Sequence, residues 1–116
     1  MIIKHYADVP PSPYAGTPDG VQMREMITGQ DGAPNFSLRV FDVQPGAGTP
    51  FHTHQWEHEV FILAGTGNVV TEGCETPFRA GDAVYIAPEE KHCFVADPAA
   101  AVRFICVIPS RNQCRM

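Results

Sequence analysis

Short segments rich in β-branched and aromatic residues alternate along this chain with glycine- and proline-containing turns. No stretch of ten or more residues shows the hydrophobic period of a helix. The pattern predicts ten short strands, and many short strands at this spacing are typical of an all-β sandwich or barrel. The predicted strands lie near residues 2–6, 21–28, 36–43, 51–54, 59–63, 67–71, 77–79, 83–86, 92–96 and 102–108.

Two segments do not resemble strands. Residues 9–20 are rich in proline, which restricts the backbone and removes hydrogen-bond donors, so they predict an irregular loop. Residues 110–116 are mostly polar and predict a flexible tail. No internal repeat is visible, and 116 residues are enough to bury one core. We therefore expect a single domain over residues 1–116.

Charge and cysteine content exclude several classes of protein. Eight basic and thirteen acidic residues give a net charge of −5, and no basic run appears, which argues against nucleic-acid binding. The N-terminal residues lack the apolar stretch of a signal peptide, and no apolar run approaches the roughly 20 residues that cross a bilayer. We expect a cytoplasmic protein that binds no membrane. Its four cysteines are widely spaced and form no CxxC pair, which disfavours disulfides and thiolate zinc sites.

Four of the five histidines fall at spacings that suit a metal site. His52 and His54 are two residues apart, so on a strand their side chains share one face. His58 follows just beyond, and His92 belongs to a later predicted strand. Neutral imidazole is the commonest transition-metal ligand, and four histidines at these positions are better explained by metal binding than by core packing. The fifth histidine, His5, lies apart and is given no such role.

The two histidine segments resemble the two sequence motifs of the cupin superfamily. The first motif covers residues 46–65, begins and ends with glycine, and contains His52, His54 and His58. The second covers residues 81–92, from Gly81-Asp82 through Pro88 to His92. The resemblance spans roughly residues 36–108 and implies a cupin double-stranded β-helix, the jelly-roll barrel. It also implies a metal inside that barrel, usually held by three histidines and one glutamate.

This chain departs from the usual ligand set at one position. The spacing of the first motif permits either His58 or Glu59 as the third ligand, and the six-residue gap to Gly65 favours His58. The chain then resembles a sub-group of stand-alone cupins with four histidine ligands, whose members hold manganese or a similar divalent ion. We predict one divalent metal per subunit, manganese first, with iron, copper, nickel, cobalt or zinc as alternatives.

Residues on the other inferred inner faces predict a substrate pocket. Phe104 and Cys106 share a face of the last strand. Phe94 shares a face of its own strand with His92, and Arg39 and Phe41 share a face of a third strand. Phe94 and Phe104 are either core residues or substrate contacts. Cys106 is either a small buried hydrophobic residue or a thiol behind the metal ligands. Arg39 either faces solvent or anchors an anionic substrate.

The site favours an enzyme without proving one. Four neutral ligands leave the double charge of the ion uncompensated, and octahedral geometry leaves two positions for substrate or oxidant. Our first hypothesis is a metal-dependent oxidoreductase, dioxygenase-like, that uses O2 or peroxide on a small organic molecule. A non-redox isomerase or lyase and a non-catalytic small-molecule or metal-binding cupin are the alternatives. Exposed strand edges, with residues 2–6 able to pair with a neighbouring subunit, predict a homodimer.

Overall fold

The computed structural model describes residues 1–13 and 17–110. These residues form eight strands and two short 3-10 turns, at Tyr6–Asp8 and Gly29–Asp31. No α-helix occurs in the described ranges, so none could span a membrane. The strands are β1 (Val21–Ile27), β2 (Phe36–Val43), β3 (His58–Ala64), β4 (Thr66–Thr71), β5 (Cys74–Arg79), β6 (Ala83–Ile86), β7 (His92–Ala96) and β8 (Val102–Pro109).

The strands form two antiparallel sheets, as the predicted all-β jelly-roll fold requires. The larger sheet has the order β1-β2-β8-β3-β6, and the smaller has the order β5-β4-β7. Alternation along each strand sends one set of side chains between the sheets and the other set outward. In β8, for example, the even-numbered residues Val102, Phe104 and Cys106 are buried, while Arg103 is exposed. The predicted fold class is confirmed.

Aromatic side chains fill the space between the sheets. The ring of Phe104 lies between those of Phe41 and Phe94, with centroid distances of 5.0 and 4.8 Å. Phe78 extends the group toward the smaller sheet, 6.0 Å from Phe94. Burying one such side chain stabilises the fold by about 1.5–3 kcal/mol, so this group contributes a large part of the core. The rings of Phe41, Phe94 and Phe104 also line the cavity described below.

Two glycines allow the chain to cross between the sheets after β3. Gly65 has a φ of +91°, which side-chain-bearing residues rarely adopt. A Cβ atom at Gly65 would lie 2.1 Å from the Ala101 carbonyl oxygen, and one at Gly67 would lie 2.1 Å from that of Val95. Neither position accepts a larger residue without movement of the backbone, so the turn predicted at residues 65–67 is fixed by close packing.

Two of the ten predicted strands are wrong. Residues 2–6 form no strand: Ile3 is 84% exposed, and the His5 side chain caps the 3-10 turn that begins at Tyr6. The Tyr6 ring instead lies between two guanidinium groups. Residues 51–54 make only an isolated bridge, His52 to His92, because they bend away from the sheet into the site.

The two predicted irregular segments have different outcomes. The described part of the proline-rich loop at residues 9–20 contains no strand, as predicted. The predicted flexible tail at residues 110–116 lies outside the described residues apart from Ser110. That serine closes the end of β8, because its backbone N–H donates to the Asn35 carbonyl oxygen and its hydroxyl donates to that of Ala33.

Candidate metal centre

Four imidazole rings meet at one end of the space between the sheets. His58 begins β3 and His92 begins β7, while His52 and His54 lie in the loop that leads to β3. The backbones of His52 and His92 are joined by two hydrogen bonds of 3.0 and 3.1 Å, which fix the loop against the smaller sheet. The ring centroids of five of the six histidine pairs are 4.4 to 5.3 Å apart.

The nitrogen atoms of these rings are close enough to share one ion. One ligand atom from each of His52, His54 and His92 lies within 4.8 Å of the others. His58 brings its Nε2 to 2.6 Å from the Nε2 of His54. Two nitrogens at right angles on one ion, each 2.0–2.1 Å from it, would be about 3 Å apart. The cluster of three histidines can therefore hold a metal, and the fourth imidazole reaches the same place.

Each ring is held through its Nδ1, which leaves Nε2 as the nitrogen that can bind a metal. The Nδ1 of His52 lies 2.7 Å from the Pro50 carbonyl oxygen, and that of His54 lies 2.9 Å from the Trp56 carbonyl oxygen. A carbonyl oxygen only accepts, so in the neutral ring Nδ1 carries the proton and Nε2 carries the lone pair. This arrangement is the one that metal-ligating histidines commonly show.

The other two rings are held in the same way. The Nδ1 of His92 lies 2.7 Å from the Glu90 carbonyl oxygen. The Nδ1 of His58 has a different partner, the Sγ of Cys106 at 2.8 Å.

The donor set therefore fits a divalent transition metal, since four neutral imidazoles offer nitrogen lone pairs. Several metals accept such ligands, so the residues do not select one.

Burial keeps three of the four imidazoles in their neutral form. Desolvation, followed by the positive charge of Arg39, lowers the pKa of His58 to about 2. Desolvation also lowers the pKa of His54 to about 4, and it lowers the pKa of His92. A neutral imidazole keeps the lone pair that a metal needs, so at physiological pH these three rings are ready to ligate.

Glu59, the alternative third ligand, lies on the other side of β3. The burial pattern of β3 makes His58 buried and Glu59 exposed, as strand alternation requires. The backbone of Glu59 pairs with Tyr85 on one side and Val107 on the other. Its side chain faces away from the four rings, toward the outer surface of the larger sheet.

A cavity of about 1190 Å³ extends from the four rings between the sheets. All five residues predicted for the substrate pocket line it: Arg39, Phe41, Phe94, Phe104 and Cys106. Phe94 and Phe104 are buried in the core, as one of their two predicted roles requires, and both also border the cavity. Most of the wall is apolar, and Glu25 is the only carboxylate among the described residues that line it.

Cys106 connects Arg39 to the imidazole cluster. Arg39 lies directly opposite Cys106 in the pairing of β2 with β8, and its Nη2 donates to the Cys106 sulfur at 3.1 Å. The guanidinium also lies over the Phe41 ring, 5.1 Å from its centroid, so it faces the interior rather than solvent. Cys106 is 2% exposed, and burial raises the pKa of its thiol. The Cys106 thiol therefore contacts the ring of a candidate ligand, His58, which agrees with one of the two roles predicted for it.

Sequence reasoning missed Trp56. Its indole ring stacks on the His54 imidazole with a centroid distance of 4.3 Å and an angle of 6° between the planes. Its carbonyl oxygen accepts from the same ring, so one residue positions His54 twice. The signal was its location between two candidate ligands in the first motif. Indole contacts of this kind depend on the loop conformation, which periodicity does not predict.

Comparison with known proteins identifies the family. A model of the Cupin_2 family, described as a cupin domain, matches residues 39–108. An (R)-mandelonitrile lyase from Granulicella tundricola is 34% identical over 65 residues, which are 55% of this chain and 50% of that protein. The chain thus spans about half the length of this curated relative.

Solved structures agree with the family match. The polyketide cyclase RemF from Streptomyces resistomycificus superposes with a TM-score of 0.88 at 33% identity, over 96% of this chain and 80% of that chain. A cupin-2 domain protein from Rhodospirillum rubrum gives a TM-score of 0.77 at 25% identity, over 96% and 75% of the two chains. With its double-sheet barrel and histidine-lined cavity, this chain belongs to the Cupin_2 family.

Proposed function

We propose that this protein is a metal-dependent enzyme that activates a small molecule, through a carbonyl or hydroxyl oxygen, for bond cleavage or cyclisation without redox change. The observation that carries the proposal is the set of four imidazoles whose Nδ1 atoms are all engaged, beside an apolar cavity large enough for an aromatic substrate. Such a site binds a cation at the boundary of a water-poor pocket, where electrostatic interactions are strong.

We assign four ligands to the metal: His52, His54, His58 and His92. A bound divalent ion would supply Lewis acidity, polarising a substrate oxygen. Manganese is the ion that we propose first, on the resemblance to four-histidine cupins, with the other divalent transition metals as alternatives. The residues behind the ligands are as important as the ligands, because they set which ring nitrogen is free.

The remaining cavity residues position the substrate. Phe94 and Phe104 offer ring faces on which a flat substrate can pack, and their burial keeps water away from it. Glu25 lines the same cavity and is exposed, so it is the group that we expect to exchange protons between substrate and solvent. Arg39 supplies a fixed positive charge beside the rings.

Two relatives support a non-redox reaction. The curated relative is a lyase that acts on mandelonitrile, and the structure with a TM-score of 0.88 is a polyketide cyclase. They are 34% and 33% identical to this chain over the aligned positions. A lyase and a cyclase both rearrange bonds without net oxidation, which is the chemistry that we propose. The common cupin fold alone would not support this, since one fold hosts many reactions.

A dioxygenase-like oxidoreductase is the second candidate. An all-nitrogen ligand set also suits redox-active manganese, iron or copper, and that observation keeps this function open. The two candidates differ in a simple measurement. An oxidoreductase consumes oxygen or peroxide in proportion to product, whereas a lyase or cyclase works equally well without oxygen.

The deciding experiment uses mandelonitrile as substrate under anaerobic conditions. We expect metal-loaded protein to release benzaldehyde, followed by its ultraviolet absorbance, and metal-free protein to release none above the buffer rate. Oxygen uptake with aromatic substrates, in the absence of anaerobic cleavage, would favour the oxidoreductase. Stoichiometric ligand binding with no turnover of either kind would refute both activities and leave a binding protein.

Homodimer formation remains our prediction, now without residues 2–6 as an interfacial strand. The outer face of the larger sheet carries exposed apolar side chains at Phe61, Leu63 and Tyr85, which a second copy could cover. Light scattering on the purified protein tests this, because a monomeric mass at micromolar concentration would contradict it.

A further inference from the structure

Two buried nitrogen donors beside the cavity lack an acceptor. Arg39 Nε and Trp56 Nε1 are both buried, and neither has a hydrogen-bond partner in the part of the chain that the structure describes. Guanidinium and indole groups only donate, so each of these atoms needs an oxygen or similar acceptor. Both side chains line the cavity, and a buried donor left unpaired is destabilising. A ligand in the cavity is the natural source of the missing acceptors.

The charge of Arg39 is also uncompensated. Among the described residues Arg39 forms no ion pair. Glu25 lies opposite it in the β1–β2 pairing and lines the same cavity, yet it is exposed and makes no salt bridge to it. The guanidinium donates to the Cys106 sulfur and lies over the Phe41 ring, and neither of these groups is a carboxylate. A partly buried cation in such surroundings gains most from an anionic partner.

The two donors border the imidazole cluster at different rings. Trp56 stacks on His54, and Arg39 reaches His58 through the sulfur of Cys106, which contacts both. A molecule that accepts from both donors would therefore lie beside the four rings. The phenylalanine rings of the cavity wall would border its apolar part.

We propose that the cavity selects an aromatic anion with at least two oxygen acceptors, one ionised oxygen pairing with Arg39 and a second oxygen accepting from Trp56 Nε1. This proposal names the substrate class that the site prefers and rests on the function proposed above for catalysis; neutral mandelonitrile tests the reaction there, and the probes below test the preference for an anion. Recognition by the two donors does not require the metal, so it can be tested separately. The shared chemistry is that of aromatic carboxylates, phenolates and enolates.

The test compares two probes of nearly equal shape, salicylate and salicylamide. Salicylate is anionic at pH 7 and salicylamide is neutral. Binding of each is measured by calorimetry to manganese-loaded and metal-free protein, for the wild type and for Arg39→Gln, Arg39→Lys and Trp56→Phe. Arg79→Gln, at an exposed arginine outside the cavity, is the matched control for loss of one positive charge.

We expect metal-free wild-type protein to bind salicylate at least tenfold more tightly than salicylamide. Arg39→Gln should lose about tenfold or more in salicylate affinity and change salicylamide affinity less than twofold, because a charged hydrogen bond is lost for one probe only. Arg39→Lys should retain part of the affinity. Trp56→Phe, which keeps the ring on His54, should weaken both probes by a similar factor, and Arg79→Gln should match the wild type.

Equal binding of the two probes by the wild type would overturn the proposal. So would an Arg39→Gln variant that binds salicylate as the wild type does. If Arg39→Gln fails to fold, Arg39→Lys and Trp56→Phe still decide the matter, since unchanged salicylate affinity in both would refute it. Failure of the proposed function would look different: metal-free protein would still discriminate between the probes, but manganese would add neither affinity nor turnover.

Discussion

Replacing Cys106 by alanine should weaken metal binding without unfolding the protein. The Cys106 sulfur lies 2.8 Å from Nδ1 of His58, whereas the atom that we assign to the metal is Nε2, the other nitrogen of the same ring. With a metal bound, this sulfur would accept the Nδ1–H proton of His58, which would leave Nε2 unprotonated for the ion. With alanine there, the ring can place its proton on Nε2 and donate to Nε2 of His54, which is 2.6 Å away. That alternative occupies two of the proposed ligand atoms.

The expected loss follows from the cost of the buried donor. Metal binding to the Cys106→Ala variant would force the proton back to Nδ1, where a buried N–H would lack an acceptor. Such a group costs about 1–3 kcal/mol, and loss of an outer partner of a metal-ligating histidine typically costs 10–100-fold in affinity. We therefore expect the dissociation constant for manganese or zinc to rise about 10–100-fold, which is about 1.4–2.8 kcal/mol.

The assay is competition with a chromophoric chelator at pH 7.5. Cys106→Ser, which keeps an acceptor, should retain affinity within about threefold of the wild type. Cys93→Ala is the matched control, because Cys93 is a buried thiol that strand alternation places on the face of β7 opposite His92. An unchanged dissociation constant in Cys106→Ala would refute the reasoning, as would an equal loss in the serine variant and the control.

Three further predictions concern the fold that holds the site. Phe104→Leu should lower the free energy of unfolding by about 1–3 kcal/mol in urea titrations, whereas Phe61→Leu, at a 46% exposed position, should change it by less than about 0.5 kcal/mol. Gly67→Ala should cost at least about 2 kcal/mol, since its Cβ would meet a carbonyl oxygen of β7 at 2.1 Å, and Gly29→Ala, with 3.4 Å to its nearest neighbour, should cost less than half as much. Burial and the hydrogen bond to the β2 aspartate raise the pKa of Tyr6, so its stabilising effect is complete below pH 10 and is lost as pH rises through the raised value. In alkaline spectrophotometric titration Tyr6→Phe should therefore remove one tyrosine that ionises above pH 10, and an unchanged titration curve would contradict this.

The strand pattern was predictable because turns and alternation are local properties. Turn signals bounded the predicted strands at residues 36–43, 83–86 and 92–96, and these agree with β2, β6 and β7. The same reasoning wrongly predicted a strand at residues 2–6. An apolar run has the sequence pattern of a strand whether or not it pairs with the edge of a sheet. Here Tyr6 packs between arginine side chains of β1 and β8, which fixes the segment in a non-strand conformation.

The candidate site was predictable in its residues and unpredictable in its connections. Spacing within the two sequence motifs was enough to indicate that four histidines meet, although His52 and His54 lie in a loop and not on the predicted strand. The partners of each Nδ1 depend on loop carbonyl groups and on the register of β2 with β8, which places Arg39 opposite Cys106. The Trp56 stacking and the two unpaired donors arise from that tertiary arrangement, so no pattern along the chain could indicate them.

The central claim is that four histidines, with His58 among them, hold one divalent metal. Elemental analysis of untagged protein tests it most directly, by measuring metal content per subunit in the wild type, His58→Ala and Glu59→Ala, with circular dichroism to verify folding. We predict near-stoichiometric metal in the wild type and in Glu59→Ala and a large loss in His58→Ala. Metal retained by His58→Ala and lost from Glu59→Ala would contradict the ligand assignment, and folded wild-type protein that takes up none of the candidate divalent metals would contradict the account as a whole.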